Sequence, residues 1–132
     1  MIEDKLSDAI SKLAGKVGLR VNSIVLFGSR GKAEELPWSD VDLLIISEGF
    51  SNMKRWDRVR LVLENWDYEK PVEPVCLAPN EVSETNPFIW EVCREGVAVM
   101  DDGTFNALRT KCLKYLDENG FQRIKYGYVK RR

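Results

Sequence analysis

Gly28 and Ser29 are followed after ten residues by Asp40-Val41-Asp42, a set of residue types able to hold both phosphate and metal. The acids are flanked by Val41, Leu43, Leu44, Ile45 and Ile46, so both read as part of a buried strand. At a period of two, Asp40 and Asp42 point to the same face. Two carboxylates held side by side repel each other unless a cation lies between them, and a hard divalent ion such as Mg²⁺ suits oxygen donors. The Gly-Ser turn adds backbone N–H groups for phosphate. An ordinary turn and a solvent-facing acid pair at a strand end are the plainer alternatives for each piece. Carboxylates are costly beside a core, however, and their occurrence with the turn at this spacing favours a nucleoside triphosphate held by its phosphates and by metal.

These groups need a frame, and the apolar pattern supplies one. Ile2, Leu6, Ile10, Leu13 and Val17 recur at spacings of three and four and predict a first amphipathic helix ending near Gly15 to Gly18. Val21 to Phe27 predicts a strand running into the Gly-Ser turn, and Val41 to Ser47 a second strand. Between them, Arg30 to Ser39 reads as a helical turn followed by loop. Met53 to Trp66 predicts a helix with Val59, Val62 and Leu63 towards the core and Lys54, Arg55, Asp57, Arg58 and Arg60 on its other faces. Pro71 to Leu77 predicts a third strand, and its prolines argue for an edge position. Asn80 to Glu95 reads as helix interrupted at Pro87, Gly96 to Met100 as a strand, and Asp101 to Gly103 as a turn. Thr104 is the expected N-cap of a last helix running to about Asn119-Gly120, with a basic tail beyond. The fold class is therefore α/β or α+β, with a small mixed sheet flanked by helices.

At 132 residues, 44% hydrophobic and 31% charged, with a net charge of −1, the chain reads as one globular domain. No stretch approaches the ~18 apolar residues of a membrane span, and no signal-peptide run opens the chain. Cys76, Cys93 and Cys112 are dispersed and odd in number, which fits a reducing cytoplasm better than a disulfide framework. There is no histidine, so mechanisms built on Ser-His, Cys-His or His-metal pairs are excluded. From Thr104 onward eight Lys/Arg face two acids, a local +6 against about −7 for the remainder. That asymmetry fits nucleic acid or an acidic protein face, or simply a solvated helix with a frayed Lys130-Arg131-Arg132 end. Tyr115, Tyr126 and Tyr128 lie in the same segment, where packing is the better reading of the aromatics. Trp56, Trp66 and Trp90 read as core or interface anchors. Trp38 either stacks on a base or covers the core.

Leu26-Phe27-Gly28-Ser29-Arg30 and Ser39-Asp40-Val41-Asp42-Leu43-Leu44 resemble the signature of the DNA polymerase β-like nucleotidyltransferase superfamily, in its minimal nucleotidyltransferase (MNT) branch. Asn86-Pro87-Phe88-Ile89 and Arg94-Glu95-Gly96-Val97 extend the likeness, so that it covers about 21–102 as the core of a single 1–132 domain. The basic helix and tail at 104–132 match weakly. The resemblance implies transfer of a nucleoside monophosphate from an NTP to a hydroxyl, with Mg²⁺ and loss of pyrophosphate. It also implies a third carboxylate on the next core strand, for which Glu73 stands where relatives more often carry Asp. Asp40, Asp42 and Glu73 would then be the catalytic and metal-binding acids for two Mg²⁺ ions. Gly28, Ser29, Arg30 and Ser39 would be the nucleotide-binding residues, with Lys32 as a further phosphate contact and Glu34 and Glu35 facing solvent.

The bare MNT length resembles that of the small proteins that pair with a HEPN-domain toxin as its antitoxin. The resemblance implies AMP transfer from ATP to a tyrosine of that toxin. A different class of function is a non-catalytic antitoxin or nucleotide sensor that neutralises its partner by masking it. A third is nucleotidyl transfer to RNA or a small molecule, supported only by the basic C-terminus.

Overall fold

The computed structural model describes residues 4–28, 40–124 and 127–130. Helix α1 (Asp4–Lys16) leads into β1 (Val21–Phe27), which pairs antiparallel with β2 (Val41–Ser47). After a 3-10 turn at Glu48–Asn52, α2 (Arg55–Glu64) carries the chain to β3 (Val72–Leu77), parallel to β2. Helix α3 (Pro87–Glu95), β4 (Val97–Asp101) and α4 (Thr104–Glu118) follow, and β4 returns antiparallel to β1. The resulting mixed sheet has the order β3-β2-β1-β4. As its prolines predict, β3 lies at an edge, where the missing N–H of Pro74 costs the ladder least.

Strand alternation divides the core between the two faces of this sheet. Leu6, Ile10 and Leu13 of α1 and Val62 of α2 pack with Ile24, Leu26, Leu43 and Ile45 on one side. Ile89, Trp90, Val92 and Cys93 of α3 and Phe105, Leu108 and Cys112 of α4 pack with Val25, Leu44 and Ile46 on the other. Each such side chain taken wholly out of water contributes about 1.5–3 kcal/mol before entropy is counted. Gly96 lets α3 settle on β1: a Cβ there would lie 2.4 Å from the Val92 carbonyl oxygen and 2.6 Å from Val25 Cγ1.

Several local expectations change. Pro87 does not interrupt a helix but begins one: it occupies the first turn of α3, where no N–H is needed, and Asn86 Oδ1 caps by accepting from Phe88 N at 3.0 Å. Thr104 is the first helical residue of α4 and not its cap. The capping acceptors are Asp102 Oδ1, which takes Thr104 N, and Asp101, which takes Phe105 N and Asn106 N. On α2 the guanidinium of Arg58 is buried and paired with Glu81, whereas Leu63 is 51% exposed. Trp56 is likewise no core anchor, at 70% exposure.

Beyond Gly120 two short strands, β5 (Phe121–Ile124) and β6 (Gly127–Lys130), form an antiparallel ribbon where no strand is expected, and Arg131 and Arg132 of the expected frayed end lie outside the described residues. Phe121 and Tyr128 of the ribbon, with Tyr115 of α4, enclose Trp90, with ring centroids 4.8–6.1 Å from its own. Arg123 is held by Glu91 at 2.6 Å. Aromatic burial and the ion pairs of Arg123 with Glu91 and Glu95 thus tie the basic segment to α3.

Candidate active site

Register brings the acids together. Asp42 stands opposite Phe27 on β1 and opposite Glu73 on β3, so the start of β2 lies between the end of one neighbour and the start of the other. Asp40 directly precedes β2, one pleat before Asp42, and Val41 between them is fully buried on the opposite face. Asp42, Leu44 and Ile46 share the face covered by α3 and α4, and Val75 and Leu77, in phase with Glu73, pack there too.

Gly28 closes the arrangement. Its φ of +75° is a left-handed conformation that costs other residues energy, and a Cβ built on it would lie only 2.3 Å from Asp42 Oδ2. No larger residue fits without displacing the Asp42 carboxylate.

Burial pushes the Asp42 carboxyl up to about 6, with a hydrogen bond to Glu73 and then the charges of Glu73 and Asp40 adding to the rise. A partly buried acid facing two other carboxylates favours either a proton or a cation, and a set made only of carboxylate oxygens fits a hard divalent ion. Among the described residues no group of three or more acidic or thiol side chains is already arranged as a metal cage. Asp42 and Glu73 form the converging pair, while Asp40 acts on Asp42 through its charge.

One helical stripe overlooks this point. Phe88, Glu91, Val92 and Glu95 follow the i, i+3, i+4, i+7 spacing of one α3 face, and with Phe27 and Gly28 they line a cavity of about 130 Å³. The Phe88 ring meets Phe27 edge-on, with centroids 5.4 Å apart.

Residues 3–95 match the family model of the nucleotidyltransferase domain. The chain belongs to that family. This nucleotidyltransferase is 32% identical over 112 residues to a candidate protein adenylyltransferase of Methanocaldococcus jannaschii, covering 80% of this chain and 76% of the relative. A chain from a toxin–antitoxin crystal structure with AMP-PNP shares its fold, with a TM-score of 0.58 at 17% identity, covering 85% of this chain and 87% of the other. So does a chain from the Shewanella oneidensis complex of a tri-AMPylated HEPN toxin with an MNT antitoxin, with a TM-score of 0.53 at 16% identity and coverage of 85% and 84%.

Of the residues singled out in the sequence, Gly28, Asp40, Asp42 and Glu73 meet at one end of the sheet in the nucleotidyltransferase. Ser29, Arg30 and Ser39, with Lys32, Glu34, Glu35 and Trp38, lie outside the described residues. The stripe of α3 escaped the sequence reading. Its signal was available in the spacing of Phe88, Glu91 and Glu95, but only the turn at the end of β1 reveals what the stripe faces.

Proposed function

We propose that this nucleotidyltransferase moves AMP from ATP to a hydroxyl on a partner protein, a tyrosine of a HEPN-domain toxin, and thereby acts as an antitoxin. The convergence of Asp42 and Glu73 beside Gly28 carries the reading: it joins an acid pair that favours a cation to a glycine whose missing Cβ leaves room for the Asp42 carboxylate. The archaeal relative's name and the AMPylated toxin complex support the protein acceptor.

In the transfer, the acceptor oxygen attacks the α-phosphorus, the bond from that phosphorus to the bridging oxygen breaks, and pyrophosphate leaves. Mg²⁺ held by Asp42 and Glu73, with Asp40, would supply charge neutralisation of the triphosphate and acidify the hydroxyl. Glu73, on the edge strand and exposed, is the group placed to take the hydroxyl proton. Asp42, held rigid by both neighbouring strands, orients the reacting phosphate. Gly28 and the following Ser29 and Arg30, with Ser39, bind the phosphates.

Transfer to RNA receives less support. Of the cations in the basic segment, Arg123 is paired with Glu91 and Glu95, and Arg109 donates to the carbonyls of Cys93 and Gly96. The three cysteines are free and buried, as suits a protein of the reducing cytoplasm, and among the described residues no helix is long and apolar enough to cross a membrane.

Incubation with α-labelled ATP and Mg²⁺, with and without a HEPN-domain partner, tests the reading. Label on the partner that disappears with Asp42→Ala is expected. A tight complex that stays unlabelled and survives the substitution would instead mean neutralisation by masking.

A further inference from the structure

The cavity beside Gly28 has a composition that phosphate binding does not explain. Phe27, Phe88 and Val92 line it beside Gly28, and the charged residues among its lining are Glu91 and Glu95. Two carboxylates repel a polyphosphate, so the cavity excludes the charged end of a nucleotide. At about 130 Å³ it is well below the ~300 Å³ at which whole-ligand pockets begin, and has room for one flat ring system.

Its side of the site also matters. The sheet order puts Glu73 on β3 and Gly28 after β1, on opposite flanks of Asp42. If the acceptor hydroxyl meets Glu73, the cavity lies on the nucleotide's flank and not on the acceptor's. A ring entering it would lie against Phe88, which is 38% exposed at the start of α3. The two carboxylates differ in how they are engaged. Glu91 accepts from Arg123 and from the Tyr128 hydroxyl, whereas Glu95 makes a longer, 3.6 Å contact with Arg123. A carboxylate has about four acceptor sites and no donor, so Glu95 favours a ring edge that presents an exocyclic amine over one that presents carbonyl oxygens.

We propose that this cavity is the nucleobase subsite of the nucleotidyltransferase, with Phe88 as the stacking face and Glu95 as the acceptor for an exocyclic amine, so that adenine is taken in preference to uracil. The inference rests on the nucleotidyl-transfer reading and adds a base-specificity site to it. Uracil carries a carbonyl oxygen where adenine carries its amine, and its one N–H on that edge is flanked by two carbonyl oxygens that the Glu95 carboxylate repels. Phe88 and Glu95 are thus specificity-determining residues, and Gly28, at the edge of the same cavity, is where the base side meets the phosphate side.

Calorimetric titration of the full chain with Mg–ATP, Mg–UTP and Mg–tripolyphosphate separates the base from the phosphates. Phe88→Ala should weaken Mg–ATP about tenfold or more and leave Mg–tripolyphosphate unchanged. Phe88→Leu, which keeps the apolar volume on the helix but lacks a flat ring face, should show the same selective loss. Glu95→Gln should narrow the preference for ATP over UTP. Equal losses for ATP and tripolyphosphate in both Phe88 variants, or no loss for either ligand, would overturn the base subsite. Wild-type ATP binding no tighter than tripolyphosphate would do so as well while leaving nucleotidyl transfer standing. Failure of the wild type to bind either ligand would remove both readings.

Discussion

Asp42 and Glu73 are cross-strand partners in the parallel β2–β3 ladder, and their carboxyls share a hydrogen bond. Without a cation, a proton on this pair is favoured below about pH 6. The Asp42 carboxyl accordingly titrates at about 6 in the folded chain, against an unfolded value near 4. Folding favours its protonated form. This contribution to stability is full below about pH 4 and is lost as pH rises through about 6.

Metal-free unfolding followed by urea between pH 4 and 7.5 should show that decline, and Asp42→Asn should flatten it. Mg²⁺ competes for the ionised acid, so it should raise the Tm at pH 7.5 and do little at pH 5. A magnesium effect independent of pH would contradict the assignment of Asp42.

Gly28→Ala should be damaging out of proportion to its size. The left-handed backbone costs an L residue roughly 1–2 kcal/mol, and the new methyl would push the Asp42 carboxylate aside. A displacement of about 1 Å at a reacting centre costs on the order of 100-fold in rate. The measurement is AMP transfer to the partner beside urea denaturation of the variant; a stability loss with unchanged transfer would argue against the tight contact with Asp42.

The Arg58–Glu81 pair is remote from the acids and should govern stability alone. Arg58 also donates to the carbonyls of Met53 and Cys76, so it joins α2 to β3. Glu81→Ala leaves that guanidinium buried without its counter-ion, at a cost of about 3 kcal/mol. The Arg58 hydrogen bond, followed by one from the Ala78 N–H, holds the Glu81 carboxyl down at about 2. Its contribution is present above the ordinary carboxylate range and is lost as pH falls through about 2, opposite in sign to that of Asp42. Acid titration of wild type and Glu81→Gln, read by circular dichroism, should diverge above about pH 4 and converge towards pH 2.

Trp90→Ala tests the C-terminal ribbon. The indole is buried, donates to the Glu84 carbonyl and touches Tyr115, Phe121 and Tyr128. Its removal should cost about 3–5 kcal/mol and raise amide exchange in 121–124 and 127–130 above that in β1 and β2. Exchange that rises uniformly would mean that the ribbon does not depend on this contact.

The acids were legible in the sequence because a strand's period is short and strict: two residues of spacing set a face, and the prolines of β3 set an edge. Arg58 was not legible, since nothing local distinguishes a buried arginine from an exposed one until Glu81 and the carbonyls of Met53 and Cys76 surround it. The ribbon was hidden for a related reason. Its basic residues predict solvent, and only the distant Trp90 and Glu91 show where Phe121 and Arg123 go. At α4 the misreading was one of competition, because Asp101 and Asp102 bring carboxylates to the same N–H groups that a Thr104 hydroxyl would serve less well.

The edge position of β3 bears on what this scaffold can modify. Among the described residues no strand lies outboard of Glu73, so in the proposed transfer no strand stands between that acid and an acceptor arriving from its flank. A catalyst with its centre in mid-sheet would limit its clients by size. Here the limit passes to the client, whose own surface must present the hydroxyl. New clients could therefore be acquired by changing residues around that margin while β1, β2 and their turn stay as they are.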